Sequence, residues 1–505
     1  MSYPSAMKAM AARLSNYSST IRRVDPLGRS DGYKAGQVTK FLFPANASQD
    51  WRTAKLHFTG STTCSGSTAE GVVTFPNPIQ GIIDQITVHF NGIQVEATPI
   101  QWGFLHKMID DFSCGVEERK ARQLLGNELL PGLGLEDEVF YAPALNSSDA
   151  VVNGSRLIPG HRETNRPFVI DSFPGCFLGT VQCPVLHSAM TGDIMVEIRW
   201  APNSVLTAVG VRGEYSTHAQ VTDPTALPSR NLAVTTSVAD SGAAVTGAAY
   251  SLDAVYFTIK TIDISDGTFY SWLKSEVARA PLELTHQHWE MQPGTQQTSA
   301  NNTTRMTLKS SSVDMLIGTF VPTDYDSGLL QPGQVNVAAD ATAGAASLDG
   351  TYANTHACRY FQRGCIDTSV GQSSMNPAGD FKSQWQINNV DVNYNEGMAD
   401  VFAELKEEFN LGKSTTAALN PRIKNLSNFA KGFLAVPLRL NFKCSDTEKD
   451  TPRYLSGLDT RNATVNVLWR TKGTTDGNIA VTPQIWAQST AIVRLGEGQR
   501  FDLVA

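Results

Sequence analysis

Residues 82–97 place the tightest limit on the fold. Ile82, Ile86, Val88 and Phe90 alternate with Gln85, Thr87 and His89, and Ile93 and Val95 resume the alternation after Asn91-Gly92. A period of two puts successive side chains on opposite faces of a strand, so one face is apolar and the other polar. Asn-Gly provides two residues that tolerate positive φ, as a two-residue hairpin requires. A single hairpin is not stable alone, so these residues demand further strands and a second layer.

The same period recurs. "DIMVEIRW" puts Ile194, Val196, Ile198 and Trp200 on one face, and "FLAVPLRLNF" does so for Leu434, Val436, Leu438, Leu440 and Phe442. Residues 254–264, 384–392 ("QWQINNVDV") and 464–469 ("TVNVLW") follow suit, between Gly-, Pro- and Asn-rich turns. The expected class is all-β with a few short helices, in antiparallel sheets. One helix is expected from Thr98 as cap and Pro99 as first residue, with Phe104, Leu105, Met108 and Phe112 on its apolar face. A second is expected near 267–278 and a third near 397–411, stopped by Gly412.

The chain has 505 residues, enough for two sizeable cores. Residues 211–249, rich in Ala, Thr, Ser, Val and Gly, read as a link, and 323–357 as a long exposed loop. The halves echo one another: "FLGTVQCPVL" precedes a final alternating strand ending at Trp200, and "FLAVPLRL" precedes one ending at Trp469. Two copies of one sandwich account for this better than one large sheet. Charged residues are 18% and the net charge is −7, which excludes a polyanion-binding surface over the whole protein. Residues 1–35 are locally basic, with Lys8, Arg13, Arg22, Arg23, Arg29 and Lys34 against Asp25 and Asp31, and read as a flexible arm. No run reaches the roughly 18 apolar residues of a membrane helix, and no signal peptide is expected. Seven scattered cysteines read as reduced, mostly buried thiols of an intracellular product.

Chemical motifs fail one by one. Asp459-Thr460 suggests an acid-protease turn, but Arg461 stands where a small glycine is needed. The single Asp326-Ser327-Gly328 has no second carboxylate turn to share a proton with. "LGKSTT" (411–416) mimics a phosphate loop, yet Glu407 occupies the required upstream glycine. His286 and His288 share one strand face with Glu290, and read as surface or interface histidines rather than metal ligands. Cys176/Cys183 and Cys358/Cys365 fit no zinc spacing, and no Gly-x-Ser-x-Gly occurs. No enzyme activity, cofactor or metal is expected.

Four segments in order carry a resemblance: "VHFNGIQVEATPIQWGFLHKMIDDFS" (88–113), "SQWQINNVDVN" (383–393), "LSGLDTRNATVNVLW" (455–469) and "VTPQIWAQSTAIVRLGEGQRFDLVA" (481–505). Together they resemble double jelly-roll major capsid proteins of the virophage and polinton-like virus type. More distant kin are those of large DNA viruses, adenovirus hexons and tailless phages. The resemblance implies two tandem eight-stranded jelly rolls, at 36–215 and 250–505, with an arm at 1–35 and a linker at 216–249. It implies a homotrimer tiling an icosahedral virion shell against neighbouring capsomers and minor or penton proteins. The basic arm would face genome or an inner membrane, and the loops near 130–165 and 323–357 would form the outer surface. Asp459, Arg461, Asn91 and Gly92 become structural or interface residues. Rival readings are a minor or penton capsid protein, an RNA-virus coat protein, or a carbohydrate-active jelly roll. The last needs paired carboxylates about 5–10 Å apart, and Glu283 and Glu290, seven residues apart, fall on opposite strand faces.

Overall fold

The computed structural model describes residues 17–29, 31–43, 48–63, 72–76, 79–113, 164–181, 185–187, 191–209, 247–264, 271, 275, 278–279, 281–296, 302–322, 382–408, 435–441, 457–461, 465–472, 481–496 and 500–504. The phosphate-loop mimic, Asp326-Ser327-Gly328, loop 323–357, most of loop 130–165 and of the 216–249 linker, and the cysteines other than Cys176 lie outside them. So does most of the helix expected near 267–278.

The first unit contains β1 (Tyr17–Val24), β2 (Val38–Leu42), β3 (Ser48–Thr63), β4 (Val72–Thr74), β5 (Ile83–Phe90), β6 (Ile93–Ala97), β7 (Arg166–Ile170), β8 (Val185–His187), β9 (Ile194–Trp200), β10 (Thr207–Val209) and β11 (Ala249–Ile264). Its helices are α1 (Trp102–Ser113) and the single turn α2 (Phe177–Thr180). The second unit contains β12 (Leu282–Pro293), β13 (Asn302–Leu308), β14 (Val313–Pro322), β15 (Lys382–Ile387), β16 (Val390–Asn395), α3 (Met398–Glu408), β17 (Ala435–Arg439), β18 (Val465–Lys472), β19 (Val481–Gly496) and β20 (Arg500–Val504).

The units are built alike. One sheet runs β2-β9-β5-β6 in the first and β13-β18-β15-β16 in the second. The facing sheet runs β1-β11-β3-β7 in the first and β12-β19-β14-β17 in the second. Pairing is antiparallel throughout. The layers meet through large side chains: Phe41 and Phe257 lie edge to face at 4.8 Å, and Phe58 and Trp200 at 5.8 Å. In the second unit Phe320 meets Trp469 at 5.1 Å. Trp200 and Trp469 occupy the same place, on the second strand of equivalent sheets, which accounts for the sequence echo.

Several expectations need correction. The strands ending at Trp200 and Trp469 are not final; the 16-residue strands β11 and β19 follow them. Residues 250–264 therefore complete the first unit, because Phe257 packs on Phe41 and Phe43. The arm also ends sooner than expected, since Tyr17–Val24 pairs with β11 along its whole length. Ser18 to Arg23 are exposed and only Val24 is buried, so this edge strand carries no apolar alternation. "QWQINNVDV" is a hairpin rather than one strand: Asn388 and Asn389 turn with φ of 50° and 68°. β17 is buried on both faces from Ala435 to Leu438, not on one. Finally, α1 starts at Trp102, because Thr98 is occupied elsewhere. Its hydroxyl accepts the Ile86 N–H at 2.9 Å, and its own N–H donates to Ile86 O. Gln101, at φ 67°, starts the helix instead, its carbonyl accepting from Phe104 and Leu105.

Candidate functional site

The corner at 457–461 packs beside the turn between β13 and β14. Asp459 and Arg461 are exposed and form a forked ion pair, with Nε to Oδ1 at 3.1 Å and Nη2 to Oδ2 at 2.8 Å. Arg461 also donates its backbone N–H to Asp459, and these hydrogen bonds hold the carboxyl at about 2. Thr460 points the other way and is buried. Its hydroxyl accepts the Ser310 N–H at 2.6 Å and donates to Ser310 O at 3.0 Å, while its N–H donates to the same carbonyl. Leu458 bridges Val313 in both directions, and a Cβ on Gly457 would lie 2.1 Å from Val313 O. Asp459-Thr460 is thus a pinned corner, with its charged side chains turned outward.

Asn91 and Gly92 form the β5–β6 turn, with φ of 49° and 79°. The Asn91 N–H donates to Asp193 O at 2.7 Å, tying the turn to the start of β9. The second unit repeats this with Asn388, whose N–H donates to Asn466 O on β18. Both hairpins also carry a one-residue bulge at the same place. Val88↔Glu96 is followed by His89↔Gln94, and Trp385↔Asn393 by Gln386↔Asp391.

A seam between the units is the feature the sequence reading missed. From the first unit come β5, β6, the start of α1, and α2; from the second come β12, β19 and β20. Phe104 stacks on Trp486 at 5.5 Å, Phe90 meets Phe501 at 5.9 Å, and Phe177 meets His286 at 5.1 Å. Gln484 donates to Gln101 at 3.1 Å, and the Gln287 N–H donates to the Thr180 hydroxyl at 3.1 Å. Gly175, at φ 66°, lets Leu105 and Trp289 close in: a Cβ there would sit 3.1 Å from both.

Glu96 is the buried charge of the seam. Its Oε2 accepts the Phe177 N–H, and its Oε1 lies 3.7 Å from His288 Nδ1. His288 Nε2 lies 3.8 Å from Glu290. Burial alone would lower the His288 pKa, but the nearby Glu96 carboxylate, with the charge of Glu290, raises it above 6.5. Burial lowers the neighbouring His286, and burial together with the Glu96 charge pushes the Cys176 thiol up. His286 is therefore an interior side chain, not a surface one, while the half-buried His288 ties the units together. Among the described residues no three His, Cys, Asp or Glu side chains converge to hold a metal ion, and no helix is long and apolar enough to cross a membrane. Glu96 escaped notice because it alternates with Val95 and reads as the solvent side of a hairpin. The signal was on the other strand, where "PQIWA" (483–487) is buried on both faces.

No protein-family model matches the chain, and no curated protein matches it. Solved structures do. PBCV-1 VP54, fitted into a cryo-EM reconstruction of the virophage Sputnik, is similar with a TM-score of 0.55 at 12% identity, over 97% of each chain. The Faustovirus major capsid protein is similar with a TM-score of 0.54 at 10% identity, over 95% of this chain and 91% of that one. A chain of the PBCV-1 capsid gives 0.53 at 10% identity, over 97% of each. Nearly full coverage of both chains, together with the duplicated sheets, gives this chain the fold of these capsid proteins, a double jelly roll.

Proposed function

We propose that this chain is a major capsid protein whose task is structural: it assembles with itself into the shell of a virion. The observation that carries the reading is the pair of matched jelly rolls joined across a buried seam, over the whole length shared with the Faustovirus and PBCV-1 proteins. In finer terms, three chains form a pseudo-hexagonal capsomer that tiles an icosahedral shell against minor or penton proteins. Basic residues before β1, such as Lys8 and Arg13, reach inward to genome or an inner membrane. Asp459 and Arg461 present an exposed charge pair at a corner of the second roll, a position suited to a subunit contact. The test is assembly. Light scattering of the purified chain is expected to give a stable trimer, and negative-stain images to show hexagonal sheets or cages. A persistent monomer that cleaves or retains glycans contradicts the reading.

A further inference from the structure

Both rolls carry the same four-stranded sheet, β2-β9-β5-β6 and β13-β18-β15-β16, but its solvent face and outer edge differ between them. In the first roll the charges are paired: Lys40 Nζ lies 2.7 Å from Glu197, and Arg199 Nε 3.3 Å from Asp84. The edge strand β2 is also covered. The Leu27 N–H donates to Lys40 O at 2.7 Å, and the buried Pro26 bridges Phe41. In the second roll neither holds. Asn466 stands where Glu197 does, three residues before the tryptophan, so Arg305 forks onto an amide oxygen at 2.5 and 3.1 Å. Arg470 and Lys472 are exposed on the same face, and Lys472 stands directly opposite Lys382. Like charges paired across strands are unfavourable unless an anion lies over them. Among the described residues none of these four cations has a carboxylate within ion-pair reach. Asp391, on the far strand β16, accepts from Gln386 instead. Among the described residues no strand pairs with the outer edge of β13.

We infer that the edge of β13 receives an extended acidic segment of another protein, added as a further strand with its carboxylates directed to Arg305, Arg470 and Lys472. An open edge offers unpaired N–H and C=O groups to such a segment. The period of two sets its composition. Alternate side chains fall on the basic face and the others beside the buried Met306 and Leu308, so acidic residues alternate with apolar ones. Pro26 and Leu27 show the same division on β2, one buried and one exposed. A second copy of β13 would set one basic face beside another, which charge repulsion opposes. Nucleic acid has no backbone that extends a sheet, and no outward side chain of β13 or β18 is aromatic to stack a base.

The test is fluorescence anisotropy of a labelled peptide of alternating Glu and Val, titrated with the full chain. Saturable binding is expected. N-methyl groups on two adjacent central residues keep the charge but block edge pairing, and are expected to weaken binding about tenfold. R470E/K472E is expected to weaken it by a similar factor and to bind a peptide of alternating Lys and Val instead. Asn466→Asp supplies the carboxylate that the first roll already has, and is expected to weaken binding about threefold. Circular dichroism and melting check the fold; where R470E/K472E melts early, Asn466→Asp reads the same face without reversing a charge. Equal binding of the N-methylated peptide overturns the inference. So does binding of a single-stranded oligonucleotide or a sulfated oligosaccharide as tight as that of the peptide, wild-type affinity in both variants, or no binding at all.

Discussion

At the scale of single residues, the corner at 459–461 separates display from anchoring. Arg461 and Asp459 are exposed, and an ion pair in water adds little because solvent screens it. Thr460 is buried and satisfies both backbone polar groups of Ser310. Thr460→Val keeps the shape but leaves the Ser310 N–H unpaired, a cost of about 1–3 kcal/mol. Arg461→Ala is expected to leave melting unchanged and, if the corner lies at a subunit contact, to weaken assembly. Thermal unfolding and oligomer mass of the two variants check this; equal melting of both would contradict the anchoring role of Thr460. The sequence made the corner visible through Asp459, Thr460 and Arg461, but not the partner that Thr460 anchors to. Nothing in a linear pattern shows that Ser310 lies across from Thr460.

At the scale of elements, the two hairpins differ in one turn position. Gly92 sits at φ 79° with no neighbour within 4 Å, while its counterpart Asn389 sits at φ 68°. Gly92→Ala places a Cβ in the left-handed region and is expected to cost about 1 kcal/mol. Asn389→Gly is expected to be neutral or to stabilise by up to about 1 kcal/mol. Chemical denaturation midpoints read both; destabilisation by Asn389→Gly would contradict the turn assignment. Strands with one buried face were legible: β5 and β9 bury the residues their alternation selects. Strand β1 was not, because an exposed edge asks nothing of its side chains. The Asn388-Asn389 turn was not, because two asparagines signal a reversal less strongly than Asn-Gly. The start of α1 was misplaced because Thr98 hydrogen-bonds as readily to a strand as to a helix end.

At the scale of the whole molecule, the seam makes stability depend on pH through two histidines of opposite sense. His288 has a raised pKa, so its contribution is complete below 6.5 and is lost as the pH rises through the folded value. His286 has a lowered pKa, so its contribution is present above 6.5 and is lost as the pH falls. A stability maximum near 6.5 is expected. Melting temperatures between about pH 5 and 8.5 check it against variants. His288→Gln is expected to flatten the alkaline limb and His286→Phe the acid limb; unchanged limbs in both would contradict the assignment. Two tandem rolls were legible in the sequence. Their seam was not, because each of its faces looks like an ordinary half-buried surface until the other covers it.

The matched bulges align Glu96 with Asn393. The carboxylate that joins one roll to the next is therefore present in one copy of the motif and absent from the other. Duplication has left the molecule without a spare: the second copy of the motif holds an amide where the first holds the acid, so the joint between the rolls hangs on a single carboxylate.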